Sequence, residues 1–141
     1  MAEDWRRGDY LISTDPSLLD LETLHGFLRR SYWASDRSRE TIELSLRHSL
    51  NFGLYRTEDR RLVGFARVVT DFASFGWIAD VFIDEPYRGR GLGVWLMDTI
   101  VAHPRLQGFR LVLGTRDAHG VYKKAGFQPL EAPERWMERL G

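Results

Sequence analysis

Apolar positions recur along this chain in two periods, and the places where one period yields to the other outline its elements. Tyr10-Leu11-Ile12-Ser13 predicts a short first strand, and Asp15-Pro16-Ser17 a turn that caps the helix after it. Leu18, Leu21, Leu24, His25 and Leu28 then fall at helical spacing, which predicts an amphipathic helix from Leu18 to Arg30 with its leucines in the core. Tyr32 to Ser38 breaks the period, and a second helix resumes near Arg39 with Ile42, Leu46 and Leu50 on one face. Asn51 to Tyr55 and Leu62 to Thr70 alternate as strands around the charged turn at Thr57 to Arg61, which reads as a hairpin. After a turn at Asp71 to Ser74, the run from Trp77 to Ile83 returns as another strand beside them. Trp95, Leu96, Ile100 and Val101 give a helix from Val94 to Ala102 its buried face, and Pro104 ends it. Phe109 to Gly114 is a further strand, reached by a crossover and therefore parallel to the one before it. A short helix carrying Tyr122 comes next, and Arg135 to Leu140 is expected as a last strand of poor alternation.

Between the strand ending at Ile83 and the helix beginning at Val94 lies Arg88-Gly89-Arg90-Gly91-Leu92-Gly93. Three glycines put no Cβ between the backbone and a ligand, so successive N–H groups can turn toward one anion. The helix behind them adds unpaired donors and a positive dipole end. Strand, glycine loop and helix together form a device for holding phosphate, and Arg88 and Arg90 add full charge. A Walker loop is excluded because no Gly-Lys-Ser/Thr is present after the glycines, and the G-x-G-x-G spacing disfavours a dinucleotide fingerprint. The pyrophosphate of coenzyme A suits the arginines at the mouth of the loop.

Arg88-x-x-Gly91-x-Gly93, reached through an apolar strand and Pro86-Tyr87, resembles the acyl-CoA pyrophosphate loop of the GNAT superfamily of N-acetyltransferases. A second segment, Ala118 to Phe127, resembles that family's later motif, in which a short helix bearing a tyrosine ends at a Gly-Phe pair. The likeness spans roughly residues 50 to 130, and two ordered motifs at the expected separation make it specific where either alone would be weak. It implies an α+β fold in three layers, with a central mixed, mostly antiparallel sheet flanked by helices and a splayed parallel strand pair forming the cofactor cleft. It also implies acetyl-CoA as acyl donor and an unidentified amine as acceptor.

Composition narrows the picture further. The 141 residues are 43% hydrophobic and 13% aromatic, enough for a real core and read here as a single domain over residues 1–141. Lys plus Arg and Asp plus Glu balance at 20 each, so net charge points to no nucleic-acid or membrane partner. The absence of cysteine rules out disulfides and thiolate chemistry. The first residues, Met1 to Arg7, lack the apolar core of a secretory signal, and a cytoplasmic location is expected. His25, His48, His103 and His119 are scattered without paired-ligand spacing, so no metal site is expected. A homodimer is allowed but not specified.

The resemblance assigns roles residue by residue. Val81, Phe82 and Ile83 would pair through their backbone with the pantetheine arm, and an N–H there would polarise the thioester carbonyl. Arg88, Gly89, Arg90, Gly91, Leu92 and Gly93 would hold the pyrophosphate, and Thr115 stands where many relatives place an asparagine against the arm. Tyr122 would protonate the departing thiolate; the other reading of it is a half-buried tyrosine that orders water. Asp80 is the candidate base, directly or through water, because a carboxylate in an apolar strand needs a reason. The competing reading pairs it with an arginine such as Arg67 or Arg116, and Ala79 stands where many relatives carry an acidic residue. Tyr32, Trp33, Ser35, Asp36 and Arg37, with Trp77 and Phe75 nearby, are the expected lining for the acceptor, although Trp33 could equally plug the core. Asp36 suits a cation and Arg37 a carboxylate. A non-catalytic acyl-CoA-binding module is the alternative function, and an unrelated phosphate-binding α/β domain is disfavoured by the segment from Tyr122 to Phe127.

Overall fold

The computed structural model describes residues 2–141. Six strands form one sheet in sequential order: β1 (Asp4–Arg7), β2 (Tyr10–Ser13), β3 (Leu50–Arg56), β4 (Leu62–Thr70), β5 (Phe75–Ile83) and β6 (Arg110–Val112). Every neighbouring pair is antiparallel except β5 and β6, which are parallel. Four helices cover it: α1 (Leu21–Arg29), α2 (Arg39–Arg47), α3 (Leu92–Val101) and α4 (His119–Lys124). Asp20 caps α1 by accepting from Glu22 N, and Ser38 caps α2 by accepting from Thr41 N.

The sheet is apolar on both faces, and each face has its own core. Leu11, Tyr55 and Phe65 meet Leu24, Phe27 and Leu28 of α1 and Ile42 of α2. Ile12, Phe52, Leu54, Val68 and Ile78 meet Trp95, Leu96, Met97 and Ile100 of α3 on the other side, with Tyr122 of α4 at the margin of that core. The three expected layers are present, as is the parallel strand pair.

Two findings differ from the pattern reading. Asp4–Arg7 forms an edge strand although its sequence is mostly polar; Trp5 holds it by stacking on Phe52 at 6.2 Å and lying against His103. His103 Nε2 also lies 2.6 Å from Glu3 Oε1. The expected last strand from Arg135 to Leu140 does not form. A 3-10 turn at Pro133–Arg135 precedes it, and only Trp136 finds an aromatic partner, Phe75 at 6.0 Å. Met137 and Leu140 stay 97% and 83% exposed, so the segment has no apolar stripe to bury against a neighbour.

β5 decides where the site lies. Gly64, Phe65 and Arg67 of β4 face Ile83, Phe82 and Ala79, so Asp80 and Val81 together stand opposite the single residue Ala66. Asp80 takes a left-handed φ of 55°, a conformation that aspartate tolerates better than most residues. This is a β-bulge, and it shifts the alternation by one. Ile78 faces the α3 core, whereas Phe82, of the same parity, faces α1 and stacks on Phe27 at 4.9 Å. On the other edge, β6 pairs only with Phe75, Gly76 and Trp77, after which β5 has no strand beside it there. Gly76 permits the close approach, since a Cβ there would lie 2.6 Å from Leu111 Cδ2 and 3.4 Å from Val68 Cγ1. Gly76→Val is expected to cost about 1–3 kcal/mol by overpacking, measured as a lower urea midpoint with an unchanged slope.

Candidate active site

Beyond Trp77 the parting of β5 from β6 opens a cleft. One part, about 540 Å³, runs from Gly93 and Met97 of α3 along Val81, Phe82 and Ile83 toward Tyr122. Another, about 380 Å³, lies beyond Val81 between Trp33, Arg37, Trp77, Asp80 and the segment from Leu113 to Ala118. Tyr32, Trp33, Val81, Asp117, Ala118 and Tyr122 border both, so the two open into each other beside Tyr122.

The glycine loop closes the far end of the longer part. Gly89 and Gly91 both have φ of 77°, and a Cβ added to either would meet nothing within 4 Å, so the loop's outer side is open. Gly91 is the N-cap of α3 and supplies no side-chain cap. Among the described residues, no main-chain bond engages the amides of Gly89, Arg90, Gly91, Leu92 or Gly93; the first helical bond runs from Trp95 N to Gly91 O. These unpaired donors at a helix start fit a diphosphate. Leu92 contributes only its backbone, because its side chain is in the α3 core. Arg88 donates from Nε to Ile83 O at 2.8 Å, and Arg90 donates from Nη1 to Tyr10 Oη at 3.1 Å. Both arginines are exposed, but each is tethered, and the Ile83 carbonyl expected to meet the pantetheine arm is occupied by Arg88.

Asp80 is the polar centre of the shorter part, with its side chain only 3% exposed. Its Oδ2 accepts from Arg67 Nε and Arg37 Nη1, each at 2.6 Å, and its Oδ1 accepts from Trp33 Nε1 at 2.9 Å. Burial pushes the carboxyl upward, but the hydrogen bonds and charges of Arg67 and then Arg37 outweigh it and hold the group below the usual carboxylate range. Such a carboxylate is a weak base with both oxygens engaged. The arginine partner considered in the sequence, Arg67, is present; Arg116 instead lies over the Tyr32 ring at 3.9 Å, and Arg37 takes the second position. Ala79 is buried in the wall beside it.

Tyr122 sits at the junction, edge-on to Phe127 with centroids 6.2 Å apart. Burial, reinforced by Tyr32 and Asp117, pushes its phenol above its ordinary value, so the hydroxyl keeps its proton through neutrality. Thr115 lines the shorter part, and its Oγ1 accepts from Ala118 N at 3.1 Å at the entry to α4. Tyr32, Trp33, Arg37 and Trp77 line the cleft, whereas Ser35 and Asp36 are exposed and border neither part. Among the described residues no group of His, Asp or Glu could hold a metal, and no helix is long and apolar enough to cross a membrane.

Because folding lowers the Asp80 carboxyl below its reference value of 3.8, its ion pairs contribute fully above that value and are lost as pH falls through the lower folded-state value. Asp80→Asn keeps the side-chain shape and its tolerance of a left-handed φ, but leaves two guanidiniums facing each other. It is expected to destabilise the fold by about 3–5 kcal/mol, measured by urea unfolding. The acid sensitivity of wild-type stability below pH 3.8 is expected to shrink in the variant.

Known proteins share this fold. A structure from Xanthomonas campestris pv. campestris, provisionally named an acetyltransferase of the GNAT family, superposes with a TM-score of 0.90 at 42% identity and covers 96% of each chain. A Staphylococcus aureus protein of unknown function, described as a probable acetyltransferase, superposes at 0.76 with 25% identity over 94% of this chain and 98% of that one. A provisionally named acetyltransferase of Gibberella zeae is 33% identical over 86% of this chain and 80% of that protein. The family description "Acetyltransferase (GNAT) family" matches residues 17–127, and with a fold, a glycine loop and a cleft of this form the chain belongs to the GNAT family of acetyltransferases.

Proposed function

We propose that this protein transfers an acetyl group from acetyl-CoA to a primary amine by direct attack within a ternary complex. One observation carries the reading: the amides at the start of α3 are unpaired, and Gly93 there lines the same cleft as Tyr122 and as Val81, which lies beyond the last residue of β5 that pairs with β6. Acetyl-CoA supplies the acyl group already activated as a thioester. The amides from Gly89 to Gly93 would hold its diphosphate, and the backbone of Val81 and Phe82, which has no strand beside it, would hold the arm.

The remaining work falls to the chain. An N–H of the Val81 segment would stabilise negative charge on the carbonyl oxygen, a role that depends on backbone geometry rather than on a side chain. Tyr122 holds a proton at its Oη and can give it to the departing sulfur. Asp80, clamped by two arginines, is too weak a base to take the ammonium proton, which therefore leaves to water. Its role is to position Trp33 and Arg37 in the acceptor wall. Ala79 and the clamped Asp80 are the features that favour the other reading, a non-catalytic acyl-CoA-binding module, and turnover separates the two.

Thiol release from acetyl-CoA, followed with DTNB across a panel of amines, tests the proposal. Tyr122→Phe is expected to leave acetyl-CoA affinity unchanged and lower kcat on the order of 100-fold; equal turnover in the variant would remove Tyr122 from the mechanism. Gly91→Val meets open space rather than protein, so its cost to the fold is limited to the strained φ of 77°, about 1–3 kcal/mol. Calorimetry is expected to find acetyl-CoA binding weakened more than tenfold, since about 1.4 kcal/mol suffices for that factor.

A further inference from the structure

The acceptor end of the cleft carries more positive charge than its own ion pairs require. Four elements present ionisable groups to it or directly behind it: Arg37 from the loop before α2, Arg67 from β4, Asp80 from β5, and Arg116 with Asp117 from the loop before α4. Arg116 and Asp117 stand 3.6 Å apart and offset each other. Asp80 offsets one of the two arginines that share its Oδ2, so one guanidinium charge remains in excess.

Arg67 accounts for the structural need. It is buried, with its side chain 8% exposed, and it binds Asp80 through Nε and Ser49 Oγ through Nη1. Arg37 is different. Its side chain is 21% exposed, it lies in the cleft wall, and among the described residues it commits only Nη1, to Asp80. The edge formed by Nε and Nη2 keeps two parallel donors, the fork that matches a carboxylate with two hydrogen bonds. Holding Nη1 on Asp80 fixes the orientation of that fork in advance. A cationic second group on the acceptor would find no partner here, because both Asp80 oxygens already accept from protein donors and Asp117 faces Arg116. A single excess charge also suits a monoanion better than a phosphate dianion.

We propose that the acceptor is an amine that also bears a carboxylate, an amino-acid-like zwitterion, whose carboxylate is gripped by the free edge of Arg37 while its amine reaches the junction at Val81 and Tyr122. Trp33 and Trp77 then flank its body, as partly exposed aromatic walls do for an apolar or planar chain. This assignment rests on the acetyltransferase reading and narrows its acceptor class.

Matched pairs that differ in one carboxylate test it: phenylalanine against 2-phenylethylamine, β-alanine against ethylamine, with 1,4-diaminobutane as the dication. Acetyl-CoA affinity is measured separately by calorimetry. The carboxylate-bearing member of each pair is expected to have a kcat/KM roughly 10- to 100-fold higher, the worth of charge-assisted hydrogen bonds. Arg37→Lys, which keeps a positive charge near Asp80 but loses the fork, is expected to erase that ratio chiefly through KM. The wild-type comparison decides the matter even if the variant does not fold. Preference for the amines without carboxylate or for the diamine overturns the assignment, as does a ratio that survives Arg37→Lys. Turnover confined to amines of the wider panel, with none of these five accepted, overturns the acceptor class alone, whereas failure to bind acetyl-CoA, or binding with no turnover of any amine, overturns the acetyltransferase reading and this inference with it.

Discussion

The carboxylate of Asp80, pinched between Arg37 and Arg67 and bonded to the Trp33 indole, is the contact on which the cleft depends. Its backbone adopts a left-handed turn within a nine-residue strand, a conformation that costs free energy and persists only when the surroundings enforce it. The two arginines do so, because turning the side chain out of the bulge would leave their charges uncompensated in a buried place. A contact that in isolation adds little net stability therefore specifies one backbone path over its competitors.

That path sets the remaining geometry. The bulge shifts β5 by one residue, which sends Phe82 to the α1 side and leaves Val81 at the junction of the two parts of the cleft. The strand then runs on without a partner from β6, and a 3-10 turn at Glu85–Tyr87 and the glycine loop lead from it into α3, whose first amides have no acceptor within the protein. Unpaired backbone is ordinarily avoided at a sheet edge. Here it is confined to a stretch where another extended chain can lie, and the neighbouring Tyr122 and Trp33 give that stretch a chemical and a shape boundary.

The elements that packing alone demands were legible in the residues. Leucines at helical spacing from Leu18 to Leu28, the alternating hairpin of β3 and β4, and Gly89, Gly91 and Gly93 ahead of an apolar helix all carry local signals, and boundaries moved by only a few residues. The edge strand Asp4–Arg7 was not legible, because a single aromatic, Trp5, anchors it to distant partners. The expected last strand failed for the opposite reason: local alternation is not enough where no neighbouring surface receives it. Asp80 carried a signal, a carboxylate in an apolar run, but nothing local indicated that Arg37, 43 positions away, would share it with Arg67.

The sequence by itself determined which of the strongly periodic segments are helix or strand, that glycines gather at the start of the apolar helix α3, and that Tyr122 stands in a recurrent frame. These depend on neighbours a few residues apart, where periodicity and glycine's freedom act directly. Only the tertiary structure decided that Asp80 is shared by Arg37 and Arg67, that Ser35 and Asp36 border neither part of the cleft while Arg37 lines it, and that Arg88 spends its Nε on Ile83. Those outcomes depend on which charges a fold brings within about 3 Å of one another, and that distance is set by the closing of the sheet and its helices, not by spacing along the chain.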